Sequence, residues 1–201
     1  MRQSRRSWAT PALLLALGLV LGTSLACSAR SPRVHTLGFL GDYAGLAPGH
    51  RGQASLIFID EEADFAGYSA LRIEPVIAWA WPDGDPAEVT ASLAQALDAA
   101  LRLELGREFE LVDEPRGGTL RLRTALASKG ETHLVLEAEL LDSATGSRLV
   151  AAVDDRDLDA SEGAGSAREQ TERWAIRIRD RLATFKQFDE AARARRATEV
   201  P

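Results

Sequence analysis

The chain has 201 residues, of which 45% are apolar and 27% charged, and it contains a single cysteine. This composition excludes a disordered or collagen-like chain, and the length allows one ordinary domain. The first 26 residues carry three of the 24 basic side chains and none of the 30 acidic ones, so the rest of the chain has a charge of about −9. A nucleic-acid partner is therefore not expected.

The amino terminus is typical of a secretory signal. Arg2, Arg5 and Arg6 precede an apolar stretch at residues 11–22, about half the roughly 20 residues that a bilayer-spanning helix needs. The stretch leads to Cys27, which follows a small residue as in a lipoprotein cleavage site. We expect a diacylglycerol on this thiol and cleavage just before it.

An ordinary secretory cut is the alternative, because Ser24 and Leu25 differ from the usual residues of a lipoprotein site. Ser28, rather than an aspartate, follows the cysteine and favours the outer membrane under the enterobacterial sorting rule. One cysteine allows no internal disulfide, so the exported domain depends on its core. We predict a signal peptide at residues 1–26, a lipidated amino terminus with a tether at 27–37, a periplasmic α+β domain at 38–190 and a loose tail at 191–201.

Residues 38–53 contain five glycines and four large apolar side chains without a helical or strand period. This pattern predicts an ordered loop with a special backbone conformation. Two interpretations are open. The segment is a binding surface centred on Asp42 and Tyr43, or it is a plug whose apolar side chains close the open end of the sheet.

Strands are predicted at residues 56–59 and 70–81. In the second strand Pro75 cannot donate to a ladder, so the strand should lie at an edge or be bulged there. Trp79 and Trp81 share one face of this strand. They pack in the core under a helix, or they stack on a sugar ring or aromatic ligand in a cleft.

Two helices are predicted. The first runs from Asp85, a capping acid followed by proline, to about Leu105, and it ends at Gly106. The second begins with a capping box at Ser166, and its apolar stripe continues to Phe185.

A hairpin is predicted from two alternating segments, 119–127 and 134–141, folded about Gly130. Leucines occupy one face, and the other face pairs arginines with glutamates. The charged pairs are Arg121 with Glu139 and Arg123 with Glu137. We expect this face to be solvated; covered by a partner, it would be a charge-matched docking surface. A further strand follows at 148–153. The element order predicts a single α+β domain, with a mainly antiparallel β-sheet of about five strands and two helices packed on it.

No catalytic signature is present, since the chain has no nucleophile-elbow motif and no phosphate-binding loop. The histidines, His35, His50 and His133, lie in separate segments, so a shared metal site is not expected. The acids at 155, 157 and 159 begin like a calcium loop but lack its glycine and its final glutamate. We interpret them as solvated acids between a strand and a helix. No enzymatic activity and no cofactor are predicted.

Four motifs follow one another along the chain: GFLGDYAGLAPG at 38–49, ADFAGY at 63–68, RIEPV at 72–76 and LLDSATG at 140–146. In order and spacing they resemble the bacterial lipoprotein family classed as domain of unknown function 3313. The resemblance covers most of the chain from Phe39 to Phe185. It implies an exported, usually lipid-anchored envelope protein of proteobacteria with no established activity, and it supplies no catalytic residues.

The predicted function is that of a lipoprotein anchored in the outer membrane through Cys27, with its domain in the periplasm binding a protein or another envelope component. The candidate binding surface comprises Asp42, Tyr43, Trp79 and Trp81. The alternative function is that of a periplasmic module that binds a glycan or lipid in a cleft at the two tryptophans. The alternative location, for a protein without the lipid anchor, is soluble in the periplasm or secreted.

Overall fold

The computed structural model describes residues 33–81, 87–129, 132–158 and 163–199. Eight strands and two helices occur in these residues, and Phe65–Gly67 forms a single 3-10 turn. The strands are β1 Ala47–Pro48, β2 Leu56–Ile59, β3 Ala70–Ile73, β4 Ile77–Ala78, β5 Glu110–Leu111, β6 Thr119–Lys129, β7 His133–Asp142 and β8 Arg148–Asp157. The helices are α1 Ala87–Leu105 and α2 Gly163–Glu199.

The strands form one mixed sheet in the order β1-β2-β8-β7-β6-β3-β5, with β4 also paired to β6. The α+β class is confirmed, but the prediction of about five mainly antiparallel strands is wrong. The pairings of β1 with β2, β2 with β8, β8 with β7 and β7 with β6 are antiparallel, whereas β3 and β4 pair parallel to β6. A parallel pair needs a crossover connection, and α1 supplies it because it lies between β4 and β6.

The predicted strand at residues 70–81 is two short strands, β3 and β4, separated by residues 74–76. Both pair with β6, so the interruption is local and leaves the strand direction unchanged. Pro75 lies in the gap, where it has no N–H to donate to the ladder. The expected bulge or edge position at this proline is thus a break in the strand.

The hairpin of β6 and β7 forms with a register two residues from the predicted one. Leu122 lies opposite Leu140, and Arg123 lies opposite Glu139 rather than Glu137. The connection spans residues 130–132 between the pair Lys129 and His133, so its centre is not Gly130. A shift of two residues preserves the faces, because side chains alternate with a period of two.

Helix α1 buries the apolar face that its sequence pattern predicts, including Leu93, Leu97 and Leu101, and it ends before Gly106. A Cβ at Gly106 would lie 2.8 Å from the carbonyl oxygen of Arg102, so glycine suits this position. The predicted start of α1, at Asp85, lies outside the described residues.

Helix α2 begins at Gly163 and continues to Glu199, so residues 191–199 are helical where the sequence predicts a loose tail. This last part is rich in alanine and arginine, which are strong helix formers. Arg193 near its end forms an ion pair with Asp64.

The sheet is covered on both faces. Helices α1 and α2 pack on one face and against each other around a large apolar core. On the other face lies an N-terminal strap, which we define as residues 34–46, and a second apolar core that includes Phe39, Leu40, Val135 and Val153. No helix in the described ranges has the length and apolar character needed to cross a bilayer.

Candidate functional site

The N-terminal strap is held to the sheet by one buried carboxylate, that of Glu137 in β7. Its side chain is fully buried, at 0% exposure. It accepts hydrogen bonds from the backbone N–H of Leu37 at 2.5 Å and of Leu40 at 3.1 Å. The Tyr43 hydroxyl donates to it as well, at 2.7 Å from Oε1, and accepts from the Gly38 N–H at 2.8 Å. Three donors from the strap thus satisfy a charge that would otherwise be costly to bury.

A second buried carboxylate, that of Glu139, extends this network. It is 3% exposed and forms ion pairs with Arg123 and Arg148. The Arg148 guanidinium also donates to the carbonyl oxygens of Leu40 and Asp42, both at 2.8 Å. The Arg123 guanidinium lies 5.0 Å from the centre of the Phe39 ring in the strap. The network therefore links the strap to the sheet through one contiguous cluster of charged and polar groups.

These contacts correct the expectation that the charged face of the hairpin is solvated. The face is covered by the strap of the same chain, and both glutamates are buried there. An alternation of charged and apolar residues is typical of a half-exposed strand, because charged side chains are rarely fully buried unless they are paired. Here the pairing is supplied by a segment about 100 positions earlier in the chain.

The strap places Asp42 and Tyr43, the centre of the predicted binding surface, in different surroundings. Tyr43 points into the sheet toward Glu137. Asp42 is exposed, accepts the Ala44 N–H at 2.8 Å through its carboxylate, and lines a polar cleft of about 530 Å³ together with Arg121 and Arg148. Of this pair, Asp42 is exposed at the cleft, whereas Tyr43 is partly buried against the sheet.

Trp79 and Trp81 lie just after β4, and both are half-buried against the core beneath the strap. The Trp79 ring meets Phe39 edge-on, with ring centres 6.1 Å apart. The Trp81 ring lies 5.6 Å from the ring of His35. The two indoles therefore have different neighbours, and they keep part of their surface exposed.

An apolar cavity of about 320 Å³ lies on the opposite face, between the sheet and α2. Its walls come from β2, β6, β7, β8 and α2, and small side chains at Ala138 and Ala152 leave room at its floor. The large apolar side chains around it are Ile57, Leu122, Leu136, Leu140, Val150, Trp174, Ile178, Leu182 and Phe185. The sequence did not predict this cavity, although its two floor alanines lie on the helix-facing side of predicted strands.

The rim of this cavity is polar. Asp154, which is buried, accepts from the Trp174 indole N–H at 2.6 Å and forms ion pairs with Arg156 and Arg177. Arg181, one helical turn after Arg177, also lines the cavity. Two guanidinium groups thus lie at the opening of an otherwise apolar space.

The histidines and the acids at 155 and 157 do not lie where the sequence predicted. His35 and His133 lie together with Asp155, whereas His50 is exposed and is not part of this group among the described residues. Asp155 and Asp157 belong to strand β8 instead of a solvated loop, and Asp155 is largely buried. Asp159 and the predicted lipid-attachment residue Cys27 lie outside the described residues.

Two of the motifs quoted from the sequence meet in the structure. The Tyr68 hydroxyl, from ADFAGY, donates to the Asp142 carboxylate of LLDSATG at 2.7 Å. This hydrogen bond and those from the Thr145 and Ala144 N–H groups hold the pKa of Asp142 below its usual value. Burial, with the same hydrogen bond, raises the pKa of Tyr68. The contact thus joins two motifs that lie far apart in the sequence.

The two interpretations of the strap are separated by stability measurements on Tyr43→Ala and Asp42→Ala. Because Tyr43 donates to a buried carboxylate, its removal should lower the free energy of unfolding by about 2 to 4 kcal/mol. Asp42→Ala should change it by no more than about 0.5 kcal/mol, since this side chain is exposed. Urea denaturation measures both. A Tyr43→Ala variant as stable as the wild type would show that the strap is not fastened as described.

The titration of Tyr43 tests the same contact without removing it. Burial, together with the hydrogen bond to Glu137, raises the pKa of Tyr43 to about 12. The raised pKa stabilises the folded state fully below the unfolded-state pKa of about 10, and this contribution is lost as the pH rises toward 12. The chain has two tyrosines, so Tyr68→Phe isolates Tyr43 in an ultraviolet absorbance titration. Titration of the remaining phenol near pH 10 in the folded protein would contradict the contact.

Comparison with solved structures finds several weak likenesses. The PelC dodecamer from Paraburkholderia phytofirmans is 12% identical with a TM-score of 0.36, and the alignment covers 60% of this chain and 92% of that chain. A protein from Xanthomonas campestris of the family DUF330 is 13% identical with a TM-score of 0.36, covering 68% and 94%. A candidate lipoprotein from Caulobacter crescentus is 12% identical with a TM-score of 0.31, covering 64% and 94%. These likenesses are too weak to carry an argument about this chain.

No curated protein matches the chain. Residues 36–129 match the model of a family described as "Protein of unknown function (DUF3313)". The matched range contains the strap from residue 36 onward and the strands up to β6, and it includes three of the four motifs quoted from the sequence. The resemblance to DUF3313, a family of proteins of unknown function, is thereby confirmed over residues 36–129, a little under half of the chain.

Proposed function

We propose that the protein is an exported lipoprotein, anchored through Cys27 on the periplasmic face of the outer membrane, that acts by binding an envelope component. The signal-like amino terminus and the position of the single cysteine support export and lipidation. The excess of acidic side chains argues against a nucleic-acid partner. Binding rather than catalysis is proposed, since no catalytic motif occurs in the sequence.

The observation that carries the binding role is the apolar cavity between the sheet and α2. Its volume of about 320 Å³ lies within the range of about 300 to 1,000 Å³ that is typical of small-molecule sites. An apolar lining binds a hydrocarbon group by removing it from water. We therefore propose a ligand that contains an acyl chain, as many envelope components do.

The arginines at the rim define the other end of this ligand. Arg177 already pairs with Asp154, but Arg181 faces the cavity with no ion pair to a described residue. A guanidinium in this position can bind a carboxylate or phosphate through two parallel hydrogen bonds. The proposed ligand is an acyl chain with an anionic head group.

Titration with cis-parinaric acid, a fluorescent fatty acid, tests this proposal. The wild type should give saturable binding. Ala152→Phe fills the floor of the cavity and should weaken binding at least about tenfold, a difference of about 1.4 kcal/mol. Ala78→Phe is the matched control: it adds the same ring to an exposed strand alanine outside the cavity and should bind as the wild type does.

The head-group prediction has its own control. Arg181→Ala should weaken binding of the acid and leave binding of its uncharged methyl ester unchanged. Absence of saturable binding to the wild type would overturn the proposed ligand class. Equal binding by the wild type and a folded Ala152→Phe variant would place any binding outside the cavity.

Lipidation is tested by metabolic labelling with a palmitate analogue. The wild type should be labelled and Cys27→Ala should not, because the thiol is the only attachment site in the chain. An acyl chain contributes about 0.8 kcal/mol per buried methylene, so the labelled protein should stay on membranes through a high-salt wash. Density-gradient fractionation should place it in the outer membrane. Equal labelling of both proteins would exclude attachment at Cys27.

The surface at Asp42, Tyr43, Trp79 and Trp81 stays a prediction for a protein or glycan partner. The stability tests above address its first two residues. If the cavity variants leave ligand binding unchanged, co-purification from intact envelopes with Asp42→Ala is the next experiment for this surface.

A further inference from the structure

A group of metal-binding side chains lies at the end of the sheet where β6, β7 and β8 meet the strap. His35 comes from the strap, His133 begins β7 and Asp155 belongs to β8, and one ligand atom from each lies within 4.8 Å of the others. The antiparallel register places Asp155 opposite Val135 and therefore on the same face as His133. The His35 backbone N–H donates to Asp155 Oδ2 at 2.7 Å, which fixes the strap beside the strand.

The two ring nitrogens of His133 have different neighbours. Its Nδ1 is hydrogen-bonded to the Asp157 carboxylate, so Nδ1 carries a proton, and in the neutral form of the ring Nε2 presents a lone pair. Nε2 is buried and has no hydrogen-bond partner among the described residues, although it lies 3.0 Å from Asp155 Oδ1. Two such acceptor atoms at this distance need a cation between them, and either a proton on Nε2 or a metal ion supplies it.

This arrangement is the one that metal-binding histidines use. A ligating imidazole donates its second ring N–H to a carboxylate, which fixes its tautomer and orientation. Asp157 takes this second role toward His133. The His35 ring reaches the other oxygen of the Asp155 carboxylate, with Nδ1 3.0 Å from Oδ2.

The distances suit a small divalent transition ion. Tetrahedral Zn²⁺ holds nitrogen and oxygen ligands at about 2.0 to 2.2 Å, which places neighbouring ligand atoms about 3.3 Å apart. The two nitrogen–oxygen distances in the group are both 3.0 Å. These two distances run to different oxygens of Asp155, and one ligand atom from each of the three residues lies within 4.8 Å of the others, a separation that side-chain rotation can close around one ion.

The surroundings leave one side of the group closed and one open. The Trp81 ring packs edge-on against His133 with ring centres 5.2 Å apart, and the Lys129 ammonium lies 6.0 Å from the centre of that indole. His133 and Asp155 are largely buried, with side chains 16% and 11% exposed, whereas the His35 side chain is 52% exposed. Solvent can reach the group from the side of His35.

We propose that His35, His133 and Asp155 bind a zinc-type divalent cation, with water in the remaining position. Two imidazoles and one carboxylate form a ligand set that suits Zn²⁺ in preference to Mg²⁺ or Ca²⁺. The three ligands lie far apart in the sequence, on the strap and on two strands. The bound ion therefore fastens the strap to the sheet at a second point, separate from Glu137. This site is independent of the proposed ligand cavity, which lies on the other face.

Isothermal titration with ZnCl₂ tests the site in the full chain, purified in detergent and freed of metal with a chelator. Cys27→Ser is included in every protein, because a free thiol also binds zinc. The chain should bind one zinc ion with a dissociation constant of about 1 μM or lower. His35→Ala and His133→Ala should each weaken binding about 100-fold, and Asp157→Asn about tenfold to 100-fold.

His50→Ala is the matched control, since it removes the one histidine outside the group and should leave zinc binding unchanged. Circular dichroism establishes that each variant is folded, and the exposed His35 allows a variant with little effect on the core. Zinc should also raise the unfolding temperature of the parent and not that of His35→Ala. Absence of saturable binding by the parent, or equal binding by His35→Ala, His133→Ala and His50→Ala, would overturn the proposal.

Discussion

The carboxylate of Glu137 is the constraint on which the strap side of the molecule depends. A fully buried charge is tolerated only when it is paired or fully hydrogen-bonded, and here the donors come from the strap. The donors fix the backbone at Leu37 and Leu40, and this places Phe39 and Leu40 in the second apolar core. Removal of one partner from such a group costs more than the pair contributes, because the charge stays buried without its donor.

Coverage of both faces gives the central strands an unusual composition. Strands β6 and β7 have almost no exposed positions, yet the strap-facing side carries charged residues at alternate positions. Arg123 and Arg148 neutralise Glu139, and the strap supplies donors to Glu137, so charge and burial coexist on that side. The helix-facing side is mainly apolar and holds the cavity, whose floor contains two small residues, Ala138 and Ala152, that lie opposite each other in the sheet. The two faces of one sheet therefore offer sites of opposite chemical character.

The elements with strong local patterns could be predicted from the sequence. The apolar period and the glycine at its end predicted α1, and alternation predicted β6 and β7 with their faces correct. The hairpin partners were two residues off, since a shift of two preserves every face and the three-residue connection has no distinctive sequence. The two-residue strand β1 has too few residues for a period, and the parallel pairing of β3 and β4 with β6 depends on contacts across α1.

The candidate sites were less accessible to sequence analysis for a different reason. Charged residues on alternating positions are typical of a solvated face, so only the position of the strap reveals that Glu137 is buried. His35, His133 and Asp155 come from three segments with no ligand spacing along the chain, and the sheet register brings them together. The cavity at Ala138 and Ala152 depends on how α2 lies over the sheet. Each of these features is a property of tertiary packing.

The distance along the chain between the strap and its partner strand also constrains how the protein folds. Leu37 and Glu137 are separated by 100 residues, so their contact closes a long loop and raises the contact order of the domain. The carboxylate cannot enter the core before its donors arrive, because the intermediate would bury an unsatisfied charge. We therefore expect docking of the strap and burial of Glu137 to occur together in one cooperative step, which couples the amino-terminal part of the domain to strands formed far along the chain.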